Sequence, residues 1–485
     1  MVQRATTITR DARAAETIQG LEEAFARIRD ELEVRQDYPA EALAEARRAA
    51  AGPDLPERDE TALELLTIDP PGSMDLDQAM HIERDGDGYR VRYAIADVPA
   101  FVRPGGALDA EVWLRGQTVY CPDSRVPLHP AEVSEDAASL LPGAVRPAYL
   151  WDMRLRADGS RREARVGRAM VRSRRRYDYE EVQRLVDSGE AEETLMLLRE
   201  VGELRVARES DRGGASLPMP SQEVDVAADG SYRLTFRPLL PAEDWNAQIS
   251  LLTGMVAAEI MLEGGVGILR TMPPAEEHDL ERFRREARAL GVPWPAGMAY
   301  GDFLRSLDRT DGRHLAVIHE AVALFRGAGY TAFEGEAPEQ PVQAALAAPY
   351  THVTAPLRRL VDRYSLAVCE ALTSGQDVPG WVREALPLLP EVMRESDRRA
   401  KAVDRACTDA VEAAVLRHRV GEVFDAVVVD ENHRGDLVVQ LTEPAVTALA
   451  SGQAAPGDEV RVELTLADVT QHLVRFVVRE VTGRQ

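Results

Sequence analysis

An apolar, β-favouring run from Leu63 to Ile68 stops at Asp69-Pro70-Pro71-Gly72, and this punctuation constrains the fold of the 485-residue chain more than any other feature. Two prolines cannot continue a hydrogen-bonded ladder and glycine frees the turn, so the chain reverses there. The reversal can bring Asp75 and Asp77 back beside Asp69 at a strand end. If the return segment is extended, residues 75 and 77 point to one side. Crowded anions raise each other's energy unless a cation lies between them, and hard oxygen donors suit Mg²⁺ or Mn²⁺ far better than zinc. A solvated acidic turn is the competing reading in a chain of net charge -24. The spacing alone leaves both open.

At 45% hydrophobic the chain has room for a large core spread over two or three domains. Cys121, Cys369 and Cys407 are odd in number and form no CxxC pair, which argues against a disulfide framework or a zinc cage and fits a reducing cytoplasm. The N-terminus lacks the apolar core of a signal peptide. The most apolar stretch, Leu251 to Leu269, is interrupted by Glu259 and Glu263, so no membrane span is expected. The acidic balance disfavours indiscriminate attraction to a polyanion. Between Met153 and Arg176, however, ten arginines face only Asp158 and Glu163. That stretch is either a solvated face or an edge that tracks phosphates.

Periodicity divides the chain. Ile18, Leu21, Phe25, Ile28 and Leu32 recur at helical spacing, and a second helix is expected from Pro39 to Ala50, with a boundary between Gly52 and Glu60. Strands follow at Glu64 to Asp69, Ala79 to Glu83 and Tyr89 to Asp97, the last two joined by the hairpin turn Asp85-Gly86-Asp87-Gly88. Further strands are expected at Gln117 to Cys121 and Tyr149 to Leu155. Helices then dominate, at Tyr179 to Val206, Asp244 to Glu263, Ala275 to Leu290, Gly301 to Thr310, Leu315 to Phe325, Pro356 to Thr373 and Pro390 to His418. Strands early and helices late indicate one large α+β domain. From Val423 onward short alternating segments suit a small closed barrel of the OB type, in which Phe424 and Phe476 are either core or stacking platforms. The expected division is a helical module over 1–60, a catalytic domain over 61–415 and a barrel over 416–485.

Several segments together resemble the RNB catalytic domain of the ribonuclease II and ribonuclease R exoribonucleases. The run from Thr67 to Ala79 is followed in the family's order by Ile95-Ala-Asp97-Val98, by Thr118-Val-Tyr120-Cys-Pro122 with Val126-Pro127-Leu128, by Ser139-Leu-Leu-Pro-Gly143 and by Tyr179-Glu-Glu-Val-Gln183. Tyr350-Thr-His352-Val-Thr354-Ala-Pro356-Leu-Arg358-Arg359, with Asp362, is similar to the motif around the family's catalytic arginine. The resemblance implies a mixed sheet surrounded by helices and a terminal S1-like OB barrel. A helical module, either plain or of the winged-helix type, stands where ribonuclease II has two cold-shock domains.

The activity implied is processive, metal-dependent hydrolysis of single-stranded RNA from the 3′ end, releasing nucleoside 5′-monophosphates, in the cytoplasm. The alternative is a weak or inactive RNA-binding protein that keeps the fold. By resemblance Asp69, Asp75 and Asp77 match three of four acidic active-site positions, and Gln78 stands at the fourth. These four would hold Mg²⁺, with Mn²⁺ possible. Arg358 matches the phosphate-binding arginine, Tyr120 a residue that stacks on the terminal nucleotide, and Tyr179 a contact near the scissile end. Arg359 falls in the same motif and is assigned to substrate binding. Asn246 and Thr253 occupy a helix where the family usually has a glutamate followed by an asparagine.

Overall fold

The computed structural model describes residues 5–7, 12–215, 221–226, 232–237, 239–308, 311–432, 434–441, 444 and 446–483. At its centre five strands close into a barrel: β1 (Leu65–Ile68), β2 (Gln78–Asp85), β3 (Gly88–Ala96), β4 (Val145–Leu155) and β5 (Arg161–Tyr177). Neighbours are antiparallel except where β1 meets β5 in parallel, with Ile68 beside Tyr177. Closure leaves no free edge and aligns the end of β1 with the end of β5. The β2–β3 hairpin turns at Asp85 to Gly88 as its Asp-Gly signal requires.

Strand β5 answers the question posed by the arginine-rich stretch. Val166, Ala169, Val171, Ser173 and Tyr177 are buried while the arginines point outward. There they meet acids: Arg161 lies 2.9 Å from Glu259, Arg168 2.6 Å from Asp97 and Arg175 2.7 Å from Glu181, and Arg174 pairs with Glu192. The field of one sign seen in the sequence is therefore largely neutralised in space. The solvated, ion-paired face is the better description of this strand than a phosphate-tracking edge.

Helices surround the barrel. Of the first two, α1 (Ala12–Glu31) and α2 (Ala40–Ala51), neither closes a core of its own. Helix α2 places Ala46 in the main core with Leu108 and Val112 of α3 (Ala107–Arg115). The helix expected over 179–206 is two, α4 (Tyr179–Ser188) and α5 (Glu193–Asp211), because Gly189 takes a left-handed conformation at φ 74° and stops the first. The long α6 (Pro241–Gly264) runs through the core. Helix α7 (Leu360–Thr373) starts four residues later than expected, since Arg359 is extended at φ -135° and ψ 126°; residues 354–359 form a loop instead. Helix α8 (Leu389–Leu416) leads into the terminal domain. Shorter helices at Glu277–Ala289, Tyr300–Arg305 and Gly312–Ala321 share a small core around Phe283 and Phe303.

The terminal strands β6 (Val423–Glu431), β7 (Leu437–Leu441), β8 (Thr447–Ser451), β9 (Glu459–Asp468) and β10 (Leu473–Gly483) close in the order β6-β7-β8-β10-β9. Phe424 and Phe476 are buried edge to face with centroids 5.9 Å apart, so they are core and not stacking platforms. Helix α1 packs Leu21, Phe25 and Ile28 into this same core, against Val403 and Val411 of α8. Among the described residues of 1–60 there is consequently no winged-helix unit; the three-residue strand Ala5–Thr7 pairs with Tyr232–Arg237, far along the chain. That pairing and the neighbouring strand Ser221–Val226 had no sequence signal strong enough to be read.

Candidate active site

Backbone pairing carries β1 one residue beyond its assigned end, because the Asp69 amide donates to the Tyr177 carbonyl at 3.0 Å. The chain then turns with Gly72 at φ 83°, and the return segment is held by a serine. Ser139 Oγ accepts from the Leu76 amide at 2.9 Å and donates to the Met74 carbonyl at 2.6 Å. Leu76 is thereby buried, leaving Asp75 and Asp77 to the other side. The turn expected from the sequence thus does bring the three aspartates into one neighbourhood, where Asp75 raises the proton affinity of both others.

Each carboxylate has a different environment. Asp75 pairs with Arg125, whose other guanidinium nitrogen lies 2.7 Å from Glu135. Asp77 is only 6% exposed; its Oδ1 accepts from the Leu357 amide at 2.8 Å, and Arg358 Nε lies 3.8 Å from Oδ2. Burial nevertheless holds the Asp77 carboxyl well above the usual range. Asp69 has a buried Oδ2 with no hydrogen-bond partner. Burial first and the charge of Asp75 second push its pKa up to about 7, against the pull of Arg176 and Arg358.

Arg358 is the hub. It lies close enough to Asp69, Asp77, Tyr120 and Tyr179 to act electrostatically on all four. Its loop is pinned along its length: the Thr118 amide donates to the Arg358 carbonyl at 3.0 Å, and His129 Nδ1 lies 3.1 Å from the Leu357 carbonyl. On the α6 side, Thr351 donates to the Gly254 carbonyl at 3.1 Å. A Cβ at Gly254 would sit 2.5 Å from the Thr351 oxygen and collide with the Tyr350 ring, so only glycine admits this approach. The guanidinium of Arg359 is engaged differently from the sequence expectation: two of its nitrogens, Nε and Nη2, grip Asp362 at 2.9 Å, and Asp362 also accepts from the Ala355 amide at 2.7 Å.

Tyr120 stands on the short hairpin Val119–Tyr120 and Arg125–Val126, with its side chain 51% exposed at the rim. Tyr179 opens α4, capped by Asp178, and its hydroxyl accepts from Asn246 Nδ2 at 3.1 Å. Asn246 therefore orients an aromatic residue of the site. Three further contributors escaped the sequence reading: Arg125, Ser139 and Arg176. Arg125 was findable, since a four-residue turn Cys121 to Ser124 makes it the cross-strand partner of Tyr120.

The expected four-residue metal set is not assembled as such. Among the described residues no three His, Cys, Asp or Glu side chains converge on one point. Gln78 is occupied at both ends of its amide, donating to the Thr354 carbonyl at 2.7 Å and accepting from Tyr93 Oη at 2.5 Å. The orphaned oxygen of Asp69 beside Asp75 does fit one hard divalent ion, since an unpartnered buried carboxylate next to a second anion is stabilised by a cation.

A thermal experiment checks that fit. A carboxyl whose folded pKa is raised to about 7 binds a proton that the unfolded chain has released, so its contribution to stability is lost as pH climbs from about 4 towards 7. An ion on Asp69 competes with that proton. Mn²⁺ should therefore raise the melting temperature more at a pH about one unit above 7 than at a pH about two units below it, relative to EDTA. Equal shifts at both would remove Asp69 from the metal site.

Residues 57–373 match the family model described as RNB domain, and residues 422–479 that of the RNase II-type exonuclease C-terminal S1 domain. A curated relative, Ribonuclease R of Thermotoga maritima, is 26% identical over 408 residues, covering 79% of this chain. The chain spans about half the length of the curated relatives it matches, 56% in that case. Among solved structures, Mycoplasma genitalium RNase R in complex with ribose methylated single-stranded RNA superposes with TM-score 0.84 at 16% identity, over 95% of this chain and 78% of that one. Yeast Ssd1, a pseudonuclease, superposes with TM-score 0.64 at 15% identity, over 88% of this chain and 53% of that one. At those identities the likeness is one of fold. No helix among the described residues is long and apolar enough to cross a membrane.

Proposed function

The chain belongs to the RNB-domain family, and from that premise we propose that it is a 3′-to-5′ exoribonuclease, dependent on a divalent ion, that hydrolyses single-stranded RNA to nucleoside 5′-monophosphates. The observation that carries the proposal is the convergence on Arg358 of Asp69, Asp77, Tyr120 and Tyr179, which come from three parts of the chain far from it in sequence. In this reading residues 61–415 form the catalytic unit and 416–485 the S1-like barrel, while residues 1–60 brace the rest.

The chemistry follows from the groups in place. Tyr120, exposed at the rim, offers a face on which any terminal base can stack, and Tyr179 stands near Asp69. Arg358 can clamp phosphoryl oxygens in its planar fork and stabilise the charge that builds on them. Asp77 aims that fork, drawing the guanidinium and holding the preceding amide. Asp69 and Asp75 would hold Mg²⁺ or Mn²⁺, which when bound supplies a Lewis acid and lowers the pKa of water. Arg359, paired with Asp362, acts in this scheme by fixing the loop and not by touching RNA.

Incubation of 5′-labelled single-stranded RNA with Mg²⁺ or Mn²⁺ tests the proposal. A ladder that retracts from the 3′ end to a short residual oligomer, and stops with EDTA, is the expected result. Internal fragments appearing first would sink it. Tyr120→Ala should weaken the hold on the terminal nucleotide by about 1–3 kcal/mol and lengthen the final oligomer, with a smaller effect on the cleavage step itself. One observation favours the second reading, an inactive RNA-binding protein: the Gln78 amide is tied to Thr354 and Tyr93 and brings no carboxylate to the site. RNA binding without shortening under either ion would decide for that reading.

A further inference from the structure

Gln78 stands where the sequence led us to expect a metal ligand, yet its surroundings are those of a structural tie. Its orientation is fixed by chemistry, because the Thr354 carbonyl can only accept and so must face the amide nitrogen. The amide oxygen then faces Tyr93 Oη at 2.5 Å, with Ser250 Oγ 3.5 Å away, and the two hydroxyls lie 2.9 Å from each other. Tyr93 is fully buried on β3 and Ser250 lies on α6. A single side chain on β2 thus binds together its neighbouring strand, the central helix and the first residue of the Arg358 loop.

Asp77, the adjacent residue, meets the same loop three residues further on, through Leu357. Side chains 77 and 78 therefore hold residues 354 and 357 of one loop, and Arg358 projects from the end so fixed. An aspartate at 78 could not replace glutamine here. It is shorter by one methylene, and as a carboxylate it only accepts, so it would turn an anion towards the Thr354 carbonyl instead of donating to it.

From this geometry we propose that Gln78 is a positioning residue that locks the Arg358 loop to the barrel, and that the divalent ion is held by Asp69 and Asp75 without it. The inference rests on the exonuclease reading for its effect on turnover, but the tie itself is readable without activity.

The test measures Mn²⁺ binding to the metal-free protein by electron paramagnetic resonance, amide hydrogen exchange over residues 354–358, and kcat and KM on single-stranded RNA. The variants are Gln78→Ala, Gln78→Asp and Tyr93→Phe, the last removing one hydroxyl from the tie with the least disturbance. In Gln78→Ala and Gln78→Asp, Mn²⁺ affinity should stay within about threefold of the parent, while exchange over 354–358 quickens and kcat falls about 10–100-fold with KM little changed, the size typical of lost outer-shell support. Tyr93→Phe should move exchange and kcat in the same direction by less. Mn²⁺ binding about tenfold tighter in Gln78→Asp, with exchange unchanged, would overturn the proposal and make Gln78 a weakened ligand. A parent protein that cleaves nothing, yet shows the expected exchange and metal pattern, would retire the exonuclease reading and leave the positioning role of Gln78 standing. Should Gln78→Ala fail to fold, unchanged exchange in Tyr93→Phe and Gln78→Asp would still overturn it.

Discussion

Asp77→Asn should slow RNA shortening by about 10²-fold or more while leaving the melting temperature level or higher. The carboxylate is almost wholly buried, and burial raises its pKa in spite of Arg358 and the Leu357 amide. A neutral amide of the same volume costs less to bury, so the fold has no reason to weaken. Asparagine can still accept from Leu357 through its oxygen. What it loses is the charge that draws the Arg358 guanidinium to 3.8 Å, and it presents an amino group to that cation instead. RNA affinity should hold or tighten, because an anion beside the phosphate has gone. Single-turnover decay of labelled RNA, read beside a thermal melt and a binding curve, checks all three. A rate within about threefold of the parent would show that Asp77 lies outside the machinery.

Arg358→Ala should cost about 10²–10³-fold in the same assay, the loss seen when one preorganised donor to a developing oxyanion is removed. Arg358→Lys should recover only part of it, since a point charge cannot supply the two-pronged grip. Stability should change little: the side chain is 42% exposed, which screens its pairing with Asp77, and the buried Asp77 can take up a proton when the cation is absent. The double variant Asp77→Asn with Arg358→Ala is the sharper measurement. If the two act as one unit, its rate should fall far short of the product of the single losses. Losses that multiply would mean that Asp77 and Arg358 contribute separately.

How much of this was legible before the structure depended on how local the cause was. The reversal after Ile68 is written in Pro70, Pro71 and Gly72, and that turn brings the three aspartates into one neighbourhood without closing them on one point. The β2–β3 hairpin and the terminal barrel were equally plain, each resting on short alternating runs and turn residues. Strand β5 was not, because its inward residues are few and small and its arginines dominate any reading by composition. Their acids lie on other elements, and for Arg161 with Glu259 and Arg168 with Asp97 no sequence window holds both partners. The same reason hid the true surroundings of Gln78, while those of Arg359 depended on where the helix begins. Gln78 finds Thr354 across 276 positions, and Arg359 finds Asp362 only because the loop refuses to be helix until Leu360. The helical spacing in residues 1–60 shows an apolar face but not what covers it, which left a separate domain and a cap both open; α1 is covered by α8 and the terminal barrel, and Ala46 of α2 by the main core.

That cover has a consequence for the order in which the molecule comes into being. Val119 and Val126, which flank Tyr120 and Arg125 on the rim hairpin, are buried in one cluster with Phe25 and Ile28 of α1, Val403 of α8 and Phe424 and Phe476 of the barrel. Arg29 reaches from α1 to Asp123 at the hairpin tip, at 2.7 Å. During synthesis helix α1 emerges well before the strands holding Phe424 and Phe476. The floor beneath Tyr120 is therefore laid only when α1 and the barrel strands have met, and a ribosome-bound chain still lacking the strands that hold Phe424 and Phe476 carries the aspartates without a firm seat for the residue that would grip RNA.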